Sequence, residues 1–315
     1  MNAKAAVAEP VTGRILLTGA AGFVGTELRA ALAGRPLRLL VRDRRDVSRL
    51  AAPDVEVVAG DVTRPESLAA ACAGCEAVVH LVAIIAEEKG ATFDQVIRQG
   101  TVNVVDAAQA AGVRRLLHMS ALGTRNDPRF PYFEAKWQAE QAVTGSGIPW
   151  TIFRPSIVFG RDDAFINTLS GLVKAAPAIP VAGNGRNKFQ PVAVGDVAAA
   201  FVRALDDPAT AGHIYDLGGG KVYTYDQLLD TIAGELGVRK RKAHLPIGLM
   251  RLAVALSRPL PKALRPPVTD AQLKMLAIDN CTDQSATEQL VGHPPLALED
   301  GIDYIAAGKG GRDVR

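Results

Sequence analysis

The sequence has few cysteines and no long apolar stretch. Its three cysteines are Cys72, Cys75 and Cys281. They are too few for a disulfide framework, and their number is typical of a protein in a reducing compartment. The longest apolar run, residues 78–86, is interrupted by His80 and falls far short of the ~20 residues that span a membrane. The first residues lack the apolar segment of a signal peptide. We therefore expect a cytoplasmic protein without a transmembrane helix.

The chain also lacks a strong excess of charge. Its 36 Lys and Arg residues against 33 Asp and Glu residues leave a net charge of +3, too small a surplus to indicate a nucleic-acid partner. The five histidines are scattered, and the Cys72–Cys75 spacing stands alone, so we expect no metal site. Apolar residues make up 48% of the 315 residues, which is enough for a large buried core.

Strand-like and helical patterns alternate through the first half of the chain. Because parallel neighbouring strands need crossover helices, this alternation predicts an α/β fold with a doubly wound parallel Rossmann sheet. The predicted strands are 14–18, 36–41, 55–58, 77–82, 115–120 and 150–154, and the predicted helices are 23–33, 93–111 and 132–144.

The alternation weakens after Gly160, which suggests a second unit. We predict a dinucleotide-binding domain over 13–160 and a smaller, partly interleaved C-terminal lobe over 161–305 that sends segments back to it. Residues 1–12 and 306–315 are expected to be mobile tails. In the lobe we predict strands at 179–182, 189–194 and 213–217 and helices at 197–205 and 225–236.

A glycine-rich turn, Thr18–Gly25, joins the first strand to the first helix. In this position Gly19 allows the tight turn, Gly22 lets the backbone approach a pyrophosphate, and Gly25 lets the helix pack on the strand. A close-packed turn without a ligand has the same spacing, but the βα series favours nucleotide binding. The expected cofactor contacts are Gly19, Ala21, Gly22, Phe23, Val24 and Gly25.

A basic residue directly follows the second predicted strand, at the position where NAD-binding proteins usually carry an Asp or Glu. This residue is Arg42, and its guanidinium favours a 2′-phosphate over a hydroxyl. Two alternatives stay open: Arg42 is a solvated turn residue, or Asp43 serves the ribose of NAD(H) in a register shifted by one. We expect NADP(H) as the cofactor, with NAD(H) less favoured.

Three motifs together resemble the short-chain dehydrogenase/reductase superfamily: the glycine turn, Asp61-Val62 after the third strand, and the Tyr132–Lys136 stretch, YFEAK. Within it, the chain is similar to the atypical group that contains a nucleotide-binding accessory subunit of respiratory complex I, alpha subcomplex subunit 9, and to NAD(P)-dependent epimerase/dehydratase-like proteins. The stretches that carry this closer resemblance are 80–87, 100–103, 118–123, 154–160 and 190–197.

The resemblance implies roles for several further residues. Asp61 and Val62 would flank the adenine, although Asp61 also fits a turn or a helix cap. Asn103 would steady the central helix. The remaining implied cofactor positions are Leu81, Val82, Ala83 and Pro155.

Tyr132 and Lys136 are four residues apart in a predicted helix, so both side chains lie on one face. A nearby ammonium group favours the phenolate and would bring the Tyr pKa down from ~10, so that the phenol can pass a proton to a carbonyl. Lys136 would also hold the nicotinamide ribose, and Ser120, at the end of the fifth strand, would bond the substrate oxygen. The same spacing also occurs in ordinary surface helices.

Two departures from the family pattern leave the function open. Many relatives carry a hydroxyl doublet where this chain has Ser120 and Ala121. Sugar-nucleotide epimerases usually have Asn and Tyr where this chain has Ile157 and Phe159. We expect an NADP(H)-dependent oxidoreductase acting on a lipophilic or quinone-like carbonyl. The alternatives are a non-catalytic NADPH-binding accessory or assembly subunit associated with complex I, and a nucleotide-sugar epimerase/dehydratase.

Residues 239–265 combine basic and apolar residues. On a helix Arg251 and Arg258 share one stripe, a pattern typical of a helix at a membrane interface or docked on a partner. The alternative is a lobe helix that packs its apolar residues in the core while the arginines reach solvent. The segment is therefore a candidate contact with the inner face of a membrane or with a respiratory complex. Its apolar residues include Ile247, Met250, Leu252, Val254 and Leu256.

Overall fold

The computed structural model of the protein describes residues 9–88, 90–257 and 269–306. The strands are β1 (Ile15–Thr18), β2 (Leu37–Val41), β3 (Val55–Ala59), β4 (Ala77–His80), β5 (Arg115–Met119), β6 (Trp150–Pro155), β7 (Val158–Phe159), β8 (Ala178–Ala182), β9 (Lys188–Phe189), β10 (Val192–Ala193), β11 (His213–Leu217), β12 (Tyr223–Thr224) and β13 (Arg241–Leu245). The helices are α1 (Phe23–Ala31), α2 (Arg44–Leu50), α3 (Leu68–Cys72), α4 (Gly100–Ala110), α5 (Pro131–Thr144), α6 (Phe165–Ala175), α7 (Val194–Asp206), α8 (Tyr225–Glu235), α9 (Ile247–Ser257), α10 (Asp270–Leu276) and α11 (Thr287–Val291).

The main sheet has seven parallel strands in the order β11-β6-β5-β4-β1-β2-β3, which confirms the predicted doubly wound Rossmann sheet. The strand order reverses between β1 and β4. Thr18, the last residue of β1, lies opposite Leu40 on one side and His80 on the other. The loops after these strands therefore meet at one edge, where ligands bind in open α/β sheets.

Helices cover both faces of the sheet, which explains why its central strands are apolar at nearly every position. Leu17, Val79 and Leu117 face α1 and α7. The alternate residues, such as Leu16 and Val78, face α3, α4 and α5. No helix in the described ranges is long and apolar enough to cross a membrane.

The second half of the chain divides between the sheet and a separate apolar cluster. Strand β11, from the part of the chain after Gly160, returns to the main sheet as its edge strand and pairs with β6. The predicted strand 189–194 is wrong, because β9 pairs with β12 while β10 pairs with β7. Helices α6 and α8 build the separate cluster around Val173, Leu228 and Ile232. The division of the chain at residue 160 stays a prediction.

The described part of the expected N-terminal tail packs on the fold. Val11 is buried, and its amide donates to the carbonyl oxygen of Leu205 at 2.9 Å. The Thr12 amide donates to the Glu76 carboxylate at 3.0 Å. Residues 1–8 and 307–315 of the two expected tails lie outside the described residues.

Candidate active site

The glycine turn has the geometry that close approach of a phosphate requires. Gly19 has a φ of +76°, and the Gly22 amide donates to its carbonyl oxygen at 3.0 Å. A Cβ on Gly25 would overlap that oxygen and lie 2.9 Å from the Cα of Ala20. Gly22 precedes α1 and has no side chain to cap it, so the first amides of the helix face outward with their partial positive charge. This cradle fits a dinucleotide pyrophosphate.

The other residues expected to contact the cofactor in this turn differ in exposure. Ala21 is exposed, Phe23 is half-buried and Val24 is buried in the core. Val24 therefore reaches the cradle through its backbone, while its side chain packs α1 on the sheet.

Arg42 and Asp43 follow β2 and lie beside the glycine turn, because Leu40 is opposite Thr18. Asp43 is engaged: its carboxylate accepts from the Arg45 amide at 2.9 Å and from Arg45 Nε at 2.9 Å. These hydrogen bonds, above all the one with the Arg45 side chain, lower the pKa of Asp43. Arg42 is exposed and makes no ion pair with the described residues. An exposed guanidinium also fits a solvated turn residue, so the role of Arg42 at a 2′-phosphate stays a prediction.

Asp61 and Val62 occupy the loop after β3. Asp61 Oδ1 accepts from the amide and from the hydroxyl of Thr63, each at 2.9 Å, so the turn role is present and the adenine role stays a prediction. Val62 is buried, and its carbonyl oxygen accepts from Asn103 Nδ2 at 2.8 Å. Asn103 thereby ties α4 to this loop.

The segment after β4 crosses directly against the glycine turn. The Leu81 amide donates to the Thr18 carbonyl oxygen at 3.3 Å, and a Cβ on Gly19 would lie 3.3 Å from the Val82 nitrogen. Ala83 continues towards the apolar cluster around Tyr132. Pro155, at the end of β6, accepts from the Leu122 amide at 2.8 Å. All four expected cofactor positions therefore lie at the carboxyl edge of the sheet.

Tyr132 and Lys136 lie in the first turns of α5, and both are buried. Lys136 Nζ donates to the carbonyl oxygen of Met119 at 2.7 Å. Burial lowers the pKa of Lys136 to about 8 and raises the pKa of Tyr132 to about 12. The expected lowering of the Tyr132 pKa is therefore wrong for this structure, since desolvation of the phenol dominates.

An ion pair between a buried carboxylate and a half-buried arginine lies behind Lys136, and the sequence did not predict it. Glu140 lies one turn further along α5 and accepts from Arg154, at 2.8 Å from Nε and 2.5 Å from the terminal nitrogen. The Glu140 carboxylate raises the pKa of Lys136 and partly opposes desolvation. The four-residue spacing from Lys136 was the only signal in the sequence.

Ser120 has a hydroxyl neighbour that the sequence analysis also missed. Its Oγ lies 3.1 Å from Oγ1 of Thr124, whose hydroxyl donates to the Ala121 carbonyl oxygen at 2.7 Å. Because Thr124 has one hydrogen to give, Ser120 is the donor between the two hydroxyls. The intervening turn contains Gly123 at a φ of +95°. A second hydroxyl thus reaches Ser120 although Ala121 lacks one.

Two buried histidines lie beneath the site, one on β4 and one on β5. His80 bonds Thr18 Oγ1 at 2.7 Å through Nδ1 and Thr101 Oγ1 at 3.0 Å through Nε2. Thr101 donates its own hydrogen to Ile97 O at 2.6 Å, so we assign the ring proton of His80 to Nε2. Desolvation lowers the pKa of His80 to about 3. His118 stacks on it at 5.3 Å, and both rings are neutral.

Apolar side chains surround the Tyr132 ring. Phe93 meets it edge-on at 5.6 Å, where a π-helical turn, Asp94–Gln99, leads into α4. From the second half of the chain, Met275 and Ile278 pack against the same cluster. The end of α10 and the residues after it thereby add apolar surface to the cluster that contains Tyr132.

The positions that bear on sugar diphosphates are also apolar. Ile157 and Phe159 pack in the cluster of α6 and α8, where neither side chain can donate a hydrogen bond.

The two cysteines of the Cys72–Cys75 spacing are buried, free thiols, and burial raises the pKa of Cys72 to about 12. A protonated, buried thiol is inert.

Residues 19–208 match the NAD(P)H-binding family. The chain is 31% identical over 246 residues to the mitochondrial NADH dehydrogenase [ubiquinone] 1 alpha subcomplex subunit 9 of Arabidopsis thaliana, in a match that covers 75% of this chain and 61% of that subunit. It is 30% identical over 244 residues to the ceramide reductase of Caulobacter vibrioides, with 76% of each chain covered.

A solved structure has the same fold. The Escherichia coli NADPH-dependent quinone oxidoreductase, complexed with NADPH, superimposes with a TM-score of 0.73 at 23% identity, covering 90% of this chain and 97% of that one. The glycine cradle, the sheet order and the family match agree with one another. The chain therefore belongs to the NAD(P)H-binding family.

Proposed function

We propose that the protein binds NADP(H) and reduces a carbonyl group on a lipophilic substrate. The observation that carries this proposal is the setting of Tyr132, whose ring meets Phe93 and belongs to the apolar cluster on which Met275 and Ile278 pack. Such a wall excludes water and favours an apolar substrate body next to a single polar group.

The residues that would hold the cofactor follow the loops at this edge. The glycine turn and the first amides of α1 would bind the pyrophosphate, and Arg42 would bind the 2′-phosphate. Bound NADPH would supply hydride. The positions proposed for the adenine, the underside of the cofactor and the nicotinamide ribose are Asp61, Val62, Leu81, Val82, Ala83, Pro155 and Lys136.

Tyr132 would donate its proton to the substrate oxygen, and Ser120 would turn its hydroxyl hydrogen from Thr124 to the same oxygen. A pKa of about 12 keeps the phenol protonated at neutral pH, which suits proton donation during reduction. Lys136, with a pKa of about 8, keeps its charge at neutral pH. The names of two relatives, a ceramide reductase and a quinone oxidoreductase, support a lipophilic substrate.

Titration of NADPH and NADH against the wild-type protein and Arg42→Ala tests the cofactor. A charge-assisted hydrogen bond stabilises a complex by ~1.5–3 kcal/mol against ~1 for a neutral one, so we expect a preference of about tenfold that Arg42→Ala removes. Arg45→Ala is the matched control, because Arg45 is committed to Asp43. Equal affinities in the wild type would refute the NADP(H) assignment.

Oxidation of NADPH with long-chain ketones, quinones and a water-soluble aldehyde tests the substrate class. We expect turnover to rise with the apolar length of the substrate. A higher rate with the short aldehyde would contradict the lipophilic class.

A second function is favoured by the sequence similarity to a subunit of NADH dehydrogenase. It would be that of a non-catalytic accessory subunit that retains NADPH. Bound NADPH that neither exchanges nor reacts, together with co-purification with complex I, would support this alternative. The sugar-nucleotide alternative is disfavoured by Ile157 and Phe159.

A further inference from the structure

Helix α9 has two apolar faces, and only one of them packs on the protein. The inner face carries three half-buried residues, Ile247, Met250 and Val254. The Ile247 side chain packs close to Gly183, since a Cβ on Gly183 would lie 3.3 Å from it.

The outer face carries three leucines that lie within one narrow stripe at 100° per residue. They are exposed by 55% at Leu249, 54% at Leu252 and 69% at Leu256. One alternative from the sequence was a lobe helix that packs its apolar residues in the core. In the described part of α9 these three leucines do not pack there. Clustered exposed leucines of this kind mark an interaction surface.

The sequence around α9 is much more basic than the chain as a whole. Residues 236–269 contain eight of the 36 Lys and Arg residues and none of the 33 Asp and Glu residues. Arg239 and Arg241 are exposed beside β13 and form no ion pair with the described residues. Arg251 and Lys242, in contrast, are paired with Asp270 at 2.5 Å and with Asp230 at 2.7 Å. The outer face of α9 thus lies within a positive segment of a nearly balanced protein.

We propose that the outer face of α9 (Leu249, Leu252 and Leu256) docks on the surface of an anionic phospholipid bilayer, with Arg239 and Arg241 at the lipid headgroups. Apolar residues on one helix stripe together with flanking cations are what an interfacial helix requires. A second copy of this chain is a poor occupant, because a symmetric contact would bring the same positive segment against itself.

The docking face is continuous with the cover of the candidate site. Arg251 of α9 bonds Asp270 of α10, and Met275 and Ile278, at and after the end of α10, lie over the Tyr132 cluster. Docking would therefore bring the apolar cover of the site near the membrane. This inference goes beyond the proposed function, and its test needs neither cofactor nor substrate.

Flotation of the full chain with phosphatidylcholine vesicles, with and without phosphatidylglycerol, tests the proposal. We expect binding to the anionic vesicles at low salt, loss of binding at high salt, and little binding to neutral vesicles. Leu249→Ser/Leu252→Ser/Leu256→Ser should reduce partitioning by tenfold or more, since each leucine removes apolar area from the lipid. Ile214→Ser/Val222→Ser, at two other exposed apolar positions, is the matched control.

Two double variants that each remove two positive charges test the proposal if the leucine variant misfolds. Arg239→Gln/Arg241→Gln should weaken binding by roughly fivefold per cation. Arg129→Gln/Arg203→Gln removes the same charge at ion pairs elsewhere and should leave binding unchanged. No binding to anionic vesicles at low salt overturns the proposal, as does equal binding by the leucine variant. If the wild type forms a dimer that dissociates in the leucine variant, and does not bind vesicles, the outer face of α9 contacts a second copy of this chain. That result also overturns the proposal.

Discussion

The ammonium group of Lys136 donates to the carbonyl oxygen of Met119 across 2.7 Å. The side chain that the sequence pairs with Tyr132 is thus fixed to the end of β5, one residue before Ser120. Because its carbon chain and charge are both buried, the group is destabilised as a cation, and its pKa falls to about 8. A rigid strand positions this cation before any ligand binds.

Lys136→Met should stabilise the protein while it removes the cation. Burial lowers the Lys136 pKa to about 8 from 10.5, so the unfolded chain binds more protons between these values and stability rises with pH across this window. The free-energy cost of burying the Lys136 cation is fully present below pH 8 and is on the order of 3 kcal/mol. Because the variant also loses a hydrogen bond of about 1 kcal/mol, its net gain in the free energy of unfolding is smaller by that amount.

Urea unfolding of the wild type and Lys136→Met at pH 7 and above pH 10 measures this effect. The variant should be the more stable of the two at pH 7, and the difference should shrink at high pH. A difference that does not change with pH would contradict the buried-cation explanation. NADPH affinity should fall in the same variant.

Tyr132→Phe should abolish reductase turnover and leave NADPH affinity within about twofold. The substitution removes one proton donor, which contributes ~10²–10⁴-fold in rate, and almost no contact area. Tyr225 is the control, because burial raises its pKa to about 12 as well but it packs in the cluster of α6 and α8. Tyr225→Phe should keep wild-type turnover; equal losses in both variants would point to a general packing defect.

Gly25→Ala and Gly171→Ala should act in opposite directions. A Cβ on Gly25 meets the backbone of Gly19 and Ala20, whereas a Cβ on Gly171, inside α6, meets nothing within 4 Å. Gly25→Ala should destabilise by ~1–3 kcal/mol from overpacking and abolish cofactor binding. Gly171→Ala should stabilise by ~0.5–1 kcal/mol. Thermal unfolding with and without NADPH reads both effects, and tolerance of alanine at position 25 would refute the close approach.

Thr124→Val should lower kcat by about fivefold and leave NADPH affinity unchanged, since it removes a hydrogen bond of ~1 kcal/mol that orients Ser120. Thr124→Ser should restore the rate because it returns the hydroxyl. If valine and serine reduce kcat equally, Thr124 acts through packing and does not position Ser120.

Local spacing in the sequence was enough to determine the strand–helix alternation, the glycine turn and the Tyr132–Lys136 pairing on one helix. Each of these depends on residues close together in the chain, whose periodicity fixes which side chains share a face. The same locality explains the errors. A strand over 189–194 was predicted from a continuous pattern, but the pairing partners of β9 and β10 lie elsewhere in the chain.

Tertiary structure alone decided the electrostatics and the walls of the candidate site. Desolvation raised the Tyr132 pKa against the expected effect of Lys136, and the Asp43 carboxylate pairs with Arg45. Met275, from more than a hundred residues away, packs on the cluster that contains Tyr132. Burial and long-range contact depend on how separate segments pack, and no spacing along the chain encodes that packing directly.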